Sequence, residues 1–122
     1  MAKVLVAEDE ITCRMIISKA VEGMGHCVIR SSDGEHAWKT LLANPDIDLL
    51  ITDVKMPGLD GRDLVKQIRA REGFEDLPII IISGVVGPKT IAGLLEQGAT
   101  WFVAKPVNPA ELQEYVIKSK IK

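Results

Sequence analysis

Four short apolar runs of this sequence each end in a residue that could take part in phosphate chemistry. After residues 4–7, 49–52, 78–82 and 101–104, these are in turn Glu8-Asp9, Asp53, Ser83 and Lys105. If the runs are parallel strands of one sheet, their carboxyl ends lie along one edge, where open α/β sheets bind ligands. Three carboxylates, a hydroxyl and an ammonium would then surround one cleft. Such a cleft suits a divalent metal ion and a phosphoryl group.

The segments that would position these groups alternate between two hydrophobic patterns. Short, continuously apolar runs are typical of buried parallel strands, and five are present: Lys3–Ala7, Cys27–Arg30, Asp48–Asp53, Pro78–Ser83 and Trp101–Lys105. Between and after them, apolar residues recur at helical spacing over residues 11–21, 37–41, 64–68, 91–95 and 112–116. The second, third and fifth of these predicted helices have candidate N-caps in Asp33, Asp60 and Asn108.

Five repeats of strand then helix predict an α/β fold with a doubly wound, five-stranded parallel sheet. Crossover connections are right-handed and each apolar strand face needs cover, so helices must lie on both faces of the sheet. The residues alone leave the strand order open. The order 2-1-3-4-5 would place the first and third strands side by side, with Glu8 and Asp9 next to Asp53.

Length and charge limit the functions that the chain could have. With 122 residues, we expect a single domain over residues 1–122 and no output domain, so any output needs a separate partner. The net charge of −2 gives no basic surface for direct nucleic-acid binding. All apolar runs are shorter than the roughly 18 residues of a membrane helix, and no signal peptide is apparent. We therefore expect no membrane contact and a cytoplasmic location.

The cysteines and histidines suggest no further chemistry. Cys13 and Cys27 are predicted to be reduced, buried thiols because no secretion signal accompanies them. His26 and His36 lack the spacing of metal ligands, so we predict no ligand role for either.

Four sequence motifs occur at the ends of the predicted strands, in a fixed order. They are residues 6–10 (VAEDE), residues 53–61 (DVKMPGLDG), Ser83-Gly84, and the segment from Gly98-Ala99 through Phe102 to Lys105-Pro106. With these motifs, nearly the whole chain resembles the receiver domains of bacterial two-component response regulators, the CheY-like family. The resemblance implies a flavodoxin-like (βα)5 fold with strand order 2-1-3-4-5.

The resemblance also implies a phosphorylation site that depends on a metal ion. Asp53 would be the phosphoacceptor, and its carboxylate and that of Asp9 would bind the metal directly. Glu8 would support the metal through water, and Lys55 would contribute its backbone carbonyl. Carboxylates held about 4 Å apart repel by roughly 4 kcal/mol at an effective dielectric of 20, so the site calls for a cation. Mg²⁺ suits oxygen ligands with room for water, and Mn²⁺ could replace it.

Further residues have roles implied by the same resemblance. Ser83 and Lys105 would hold the phosphoryl oxygens, and Phe102 would be the switch aromatic. The Lys105–Pro106 peptide would be cis. Phosphorylation would shift the loop between Gly84 and Gly87 and change the surface of the fourth helix, fifth strand and fifth helix, over about residues 88–120.

The implied function is that of a signalling switch that catalyses only its own aspartyl phosphorylation and dephosphorylation. The phosphodonor would be a sensor histidine kinase or a histidine phosphotransfer protein, and the downstream partner would be a protein that the sequence does not identify. We expect a monomer or a weak, phosphorylation-dependent dimer. Lys55 and Val85 hold positions that vary with dephosphorylation rate in the family, and neither can orient a water, which predicts slow hydrolysis.

Three other functions are compatible with this fold class. A flavin-binding domain would need a phosphate-cradling loop after the first strand, and Glu8-Asp9-Glu10 is electrostatically the opposite. An aspartyl phosphatase of the Asp-x-Asp type would need an acid where Lys55 stands. An interaction module that keeps the fold but has lost phosphorylation is the remaining alternative, and the retention of all the site residues argues against it.

Overall fold

Strands and helices alternate along the whole described chain. The computed structural model describes residues 2–84 and 87–121. In chain order the elements are β1 (Lys3–Ala7), α1 (Ile11–Glu22), β2 (Cys27–Ser31), α2 (Gly34–Ala43), β3 (Leu49–Asp53), α3 (Gly61–Ala70), β4 (Ile79–Ser83), α4 (Pro88–Gln97), β5 (Trp101–Ala104) and α5 (Pro109–Lys118). The predicted strands end within about one residue of these limits, within the usual uncertainty of such boundaries.

The strands form one parallel sheet in the order β2-β1-β3-β4-β5. Ala7, the last residue of β1, is in register with Ser31 of β2 and with Thr52 of β3. The residues that follow β1 and end β3 therefore lie side by side at one edge. The predicted fold class and the strand order are both confirmed.

The core has two layers, one on each face of the sheet, because successive strand residues point to opposite sides. Leu5, Ile79 and Ile81 face the layer formed with α2, α3 and α4. The opposite layer, formed with α1 and α5, contains residues such as Val4 and Ile80. Helices thus cover both faces, as a doubly wound sheet requires.

Local capping explains where three of the helices begin. Asp33, Asp60 and Asn108 each accept a backbone N–H of the helix that follows, as predicted. Asp33 Oδ1, for example, accepts from His36 N at 2.7 Å. An N-cap of this kind satisfies an N–H that the helix itself cannot pair.

The prediction that all five strands are buried is wrong for the two edges. In β2, Cys27 and Arg30 are exposed, and in β5 Ala104 is exposed, whereas every residue of β3 and β4 is buried. The Cys13 thiol is half-buried and the Cys27 thiol is exposed, so the prediction of two buried cysteines is also incorrect. Edge strands have a neighbour on one side only, and their side chains are covered correspondingly less.

One arginine links two loops through three backbone carbonyls. The guanidinium of Arg69 in α3 donates to the backbone carbonyls of Phe74 at 2.7 Å, Leu77 at 2.6 Å and Gly98 at 2.7 Å. These carbonyls belong to the segment between α3 and β4 and to the end of α4. Burial lowers the pKa of Arg69 from its ordinary value. No helix in the described part of the chain has the length and apolar composition to cross a membrane.

Candidate functional site

Three carboxylates meet where β1 and β3 end. Carboxylate oxygens of Glu8, Asp9 and Asp53 all lie within 4.8 Å of one another. Glu8 is 0% exposed and Asp53 is 6% exposed, whereas Asp9 is open to solvent. The convergence predicted from the strand ends is therefore present, with two of the three acids inside the protein.

Lys105 brings a positive charge to the two buried acids. Its Nζ lies 2.7 Å from Asp53 Oδ2 and 2.8 Å from Glu8 Oε1. Lys105 directly follows β5, two strands away from β3, so its side chain reaches past β4 to make these contacts. Its backbone N–H donates to the carbonyl of Ser83 at 2.9 Å, which ties this residue to the end of β4.

Burial and charge act in opposite directions on these groups. Burial raises the pKa of Glu8, and the contact with Lys105 offsets this only in part. Burial also lowers the pKa of Lys105, but the hydrogen bond to Asp53 and the contact with Glu8 outweigh it and raise that pKa above its usual range. The ammonium is therefore held in its charged form across the physiological pH range.

The backbone around Asp53 is tightly fixed. Asp53 Oδ1 accepts N–H groups from Val54 at 2.6 Å and from Lys55 at 3.4 Å. Gly61, at the start of α3, donates its N–H to Val54 O at 2.6 Å. A Cβ at Gly61 would lie 2.3 Å from the carbonyl oxygen of Asp53, so only glycine lets α3 approach this closely.

The donor set fits a small, hard divalent cation. All three groups offer carboxylate oxygens, which Mg²⁺ prefers, and the exposed side of Asp9 leaves room for the waters that this ion retains. Glu8 Oε1 is buried, and the Lys105 ammonium lies 2.8 Å from it. A buried acceptor in this state is stabilised by a nearby cation.

The structure places the other residues of the predicted site around this cluster. Lys55 lies two residues after Asp53 and is exposed, and Ser83 ends β4 with 3% exposure. Phe102 in β5 is half-buried and packs against the core layer of α2, α3 and α4. The Lys105–Pro106 peptide is cis. Val85 and the predicted shift of the loop between Gly84 and Gly87 fall outside the described residues.

Two residues of α1 contact the site and were not predicted. Arg14 Nη1 donates to the backbone carbonyl of Glu8 at 2.9 Å. Cys13 also lies close to Glu8, and burial together with the negative charge of Glu8 raises the pKa of this thiol to about 12. No sequence motif marks either residue, because both contacts depend on how α1 packs after the turn that follows β1.

The sequence is similar to one protein family and to several known proteins. The profile of the response regulator receiver domain matches residues 4–117. The chemotaxis protein CheY homolog of Campylobacter jejuni is 37% identical over 113 residues, which covers 92% of this chain and 87% of that protein. Chemotaxis protein CheY1 of Helicobacter pylori, strain J99, is 38% identical over 113 residues, with 92% of this chain and 91% of that protein covered.

The fold is also similar to that of solved structures. The crystallised chemotaxis protein CheY4 of Vibrio cholerae superposes with a TM-score of 0.90 at 29% identity, covering 98% of each chain. The likeness to receiver domains therefore holds in sequence and in structure, over almost the entire chain.

Proposed function

Because this chain belongs to the response regulator receiver domain family, we propose that phosphoryl transfer to Asp53 changes its signalling state. Membership of this family makes the chain a two-component signalling switch rather than a conventional enzyme. The observation that carries this proposal is the position of Lys105 Nζ, 2.7 Å from Asp53 and 2.8 Å from Glu8. A carboxylate, a cation and two further acids are the groups that an aspartyl-phosphate site needs.

In the proposed reaction, a carboxylate oxygen of Asp53 attacks the phosphorus of a phosphohistidine. The new O–P bond forms as the P–N bond breaks, and the electron pair of the P–N bond goes to the leaving imidazole nitrogen. The N–H groups of Val54 and Lys55 orient the nucleophile through Asp53 Oδ1. Receiver domains bind Mg²⁺ at an acidic pocket, and here Glu8, Asp9, Asp53 and the carbonyl of Lys55 would hold an ion that neutralises phosphoryl charge.

Lys105 and Ser83 would stabilise the transferred group. The Lys105 ammonium already contacts Asp53 Oδ2, so a short displacement brings it to a phosphoryl oxygen. We propose Ser83 as the second donor, because it ends the strand next to Asp53 and is linked to Lys105 through the backbone. Preorganised charges of this kind act strongly because the site is largely buried.

The proposed switch is a shift of the surface formed by α4, β5 and α5, from Pro88 to Lys120. Charge-assisted hydrogen bonds contribute roughly 1.5 to 3 kcal/mol each, whereas moving an equilibrium from 1:99 to 99:1 takes about 5.5 kcal/mol. Two new bonds, to Ser83 and Lys105, are therefore barely sufficient. We infer that some of the active conformation exists before phosphorylation, with Phe102 turning inward as the switch residue.

The proposed partners follow from the family. A sensor histidine kinase or a histidine phosphotransfer protein would donate the phosphoryl group, and a separate protein would read the switched surface. Several further expectations stay predictions. They are the absence of an output domain in residues 1–122, slow hydrolysis of the phosphoryl group, a cytoplasmic location, the lack of nucleic-acid and membrane contacts, and a monomer or weak, phosphorylation-dependent dimer.

Labelling with a small donor tests the proposal directly. Incubation with acetyl phosphate and Mg²⁺ should add one phosphoryl group, detected by intact-protein mass spectrometry and removed by hydroxylamine. Asp53→Asn should abolish the label, whereas Asp63→Asn, an exposed acid in α3, should keep it. Undiminished labelling of the Asp53 variant would refute the assigned role. No labelling of the unmodified protein would favour the alternative of a module that has lost phosphorylation.

A further inference from the structure

The turn between β1 and α1 carries two of the three acids of the cluster, Glu8 and Asp9. Arg14, one turn into α1, reaches back to this turn, and its Nη1 donates to the carbonyl oxygen of Glu8 at 2.9 Å. We propose that Arg14 is a positioning residue that holds Asp9 in place to bind Mg²⁺. The inference rests on the proposed function, because Mg²⁺ is part of that proposal.

The contact fixes the peptide group that joins Glu8 to Asp9. The carbonyl that Arg14 binds and the N–H of Asp9 lie in one rigid plane, because the peptide bond does not rotate freely. Turning this plane about the single bonds beside it would redirect the bond from Cα to Cβ of Asp9. Holding the carbonyl therefore restricts the directions in which the Asp9 carboxylate can point.

The backbone on either side of Asp9 is held as well. The N–H of Glu8 donates to the carbonyl of Ser31 at 3.0 Å. The N–H of Glu10 donates to Glu8 Oε2 at 3.1 Å, and the carbonyl of Glu10 accepts from the N–H of Arg14 at 2.9 Å. The Arg14 side chain adds its contact between these points, at the peptide group next to Asp9. The turn is thus ordered by the chain itself rather than by an ion.

Asp9 needs such support more than the other two acids do. Glu8 and Asp53 are buried, and each contacts the ammonium of Lys105. Asp9 is exposed, so packing restricts its side chain much less. Ordering a flexible ligand when the ion binds opposes binding, and a ligand that is already ordered avoids this cost. Loss of the Arg14 contact should therefore weaken Mg²⁺ binding through Asp9.

The positive charge of Arg14 acts on a bound cation in the opposite direction. A guanidinium stays charged at neutral pH, and it repels Mg²⁺. If Arg14 acted through its charge alone, its replacement by methionine would strengthen Mg²⁺ binding, and its replacement by lysine would leave the affinity unchanged. A positioning role predicts weaker binding in both variants. The direction of the change therefore distinguishes the two roles, and a general effect on stability predicts neither.

Amide NMR of the unphosphorylated, ¹⁵N-labelled full chain, titrated with MgCl₂ at constant ionic strength, measures this affinity. The N–H groups of Val54 and Lys55 donate to Asp53, so their signals should report binding. Arg14→Lys keeps the charge but loses the planar fork, and we expect the Kd for Mg²⁺ to rise about tenfold, as for residues that orient metal ligands. For Arg14→Met we expect a rise of about threefold, because removal of the repelling charge offsets part of the loss.

Arg71→Lys is the matched control. Arg71 is exposed and follows the end of α3, away from the edge where the strands end, so this variant should bind Mg²⁺ as the unmodified protein does. The same spectra show whether each variant is folded. Binding by a folded Arg14 variant that is as tight as that of the unmodified protein, or tighter, would overturn the positioning role and leave the proposed phosphorylation of Asp53 intact. Failure of the unmodified protein to bind Mg²⁺ would instead refute the metal site on which both proposals depend.

Discussion

Replacing Lys105 by methionine removes the cation that two buried carboxylates share. Methionine keeps much of the length and apolar volume of the side chain, so the main loss is the charge at Nζ. Without it, Glu8, at 0% exposure, and Asp53, at 6% exposure, have no other salt-bridge partner in the part of the chain that the structure describes. We therefore expect Lys105→Met to lower the free energy of unfolding at pH 7 in the absence of Mg²⁺.

The contact distances set the size of this effect. At an effective dielectric of 20, charges 2.7 and 2.8 Å apart attract by about 6 kcal/mol per pair before the cost of desolvation. Breaking a buried ion pair by removing one partner costs about 3 to 5 kcal/mol net. The Lys105 side chain is 25% exposed, so we take the lower end, about 3 kcal/mol. For a domain of this size that corresponds to a melting temperature lower by about 10 °C.

The dependence on pH and on Mg²⁺ separates this cause from a general packing defect. The folded-state pKa of Glu8 is raised, so its carboxyl favours folding at low pH and loses this contribution as the pH rises through that pKa. Loss of Lys105 raises the pKa of Glu8 further, because the contact that lowered it is gone. The stability deficit of Lys105→Met should therefore be smallest near pH 4 and grow towards pH 7. Mg²⁺ should reduce it at pH 7 by supplying a replacement cation.

Urea unfolding at several pH values, with and without Mg²⁺, measures this deficit. Lys66→Met, which removes an exposed lysine of α3, is the matched control and should change stability by less than about 0.5 kcal/mol. A deficit that is the same at pH 4 and pH 7, or that Mg²⁺ leaves unchanged, would show that the charge of Lys105 does not stabilise the acid cluster.

Three further predictions concern other parts of the fold. Gly61→Ala places a Cβ 2.3 Å from the carbonyl that ends β3, so it should cost about 1 to 3 kcal/mol in urea unfolding and slow labelling by acetyl phosphate; unchanged values for both would contradict the close approach. At pH 8, maleimide should modify the exposed Cys27 well before Cys13, because the pKa of the Cys13 thiol is raised to about 12 and little of it is thiolate. Peptide mapping that finds equal rates for the two cysteines would show that the Cys13 thiol is not buried in this way. Arg69→Met should destabilise the protein by about 2 to 3 kcal/mol because three backbone carbonyls lose a charged donor, while Arg62→Met should have little effect; similar melting curves for the two variants would argue against the arginine contacts.

The architecture could be predicted from the sequence because its two hydrophobic patterns differ in length and period. Continuously apolar runs such as Ile79–Ser83 fit only a covered strand, and N-caps such as Asp33 mark where helices begin. The strand order needed the family resemblance, since an apolar run carries no information about its neighbours. The exposure of β2 was missed for the same reason. Val28 and Ile29 look like residues of a central strand, although they lie at the edge.

The candidate site was predictable only in part. Glu8 and Asp53 each come at the end of a strand, and parallel strands bring such ends together. Arg14 reaches the carbonyl of Glu8 from a neighbouring helix turn, and Arg69 binds carbonyls up to 29 residues away in the sequence. Such contacts depend on the angle and depth at which a helix packs, which the pattern of apolar residues does not specify.

The two charged partners of the central ion pair stand on parts of the sheet that differ in rigidity. Asp53 ends a strand flanked by neighbours on both sides and wholly enclosed, whereas Lys105 extends from the margin of the sheet, beyond the exposed Ala104. Segments with few enclosed contacts open at lower free energy than central ones. The position of Asp53 is thus more firmly fixed than that of Lys105. A rearrangement at the margin can carry the ammonium to a new position while the acid stays in place.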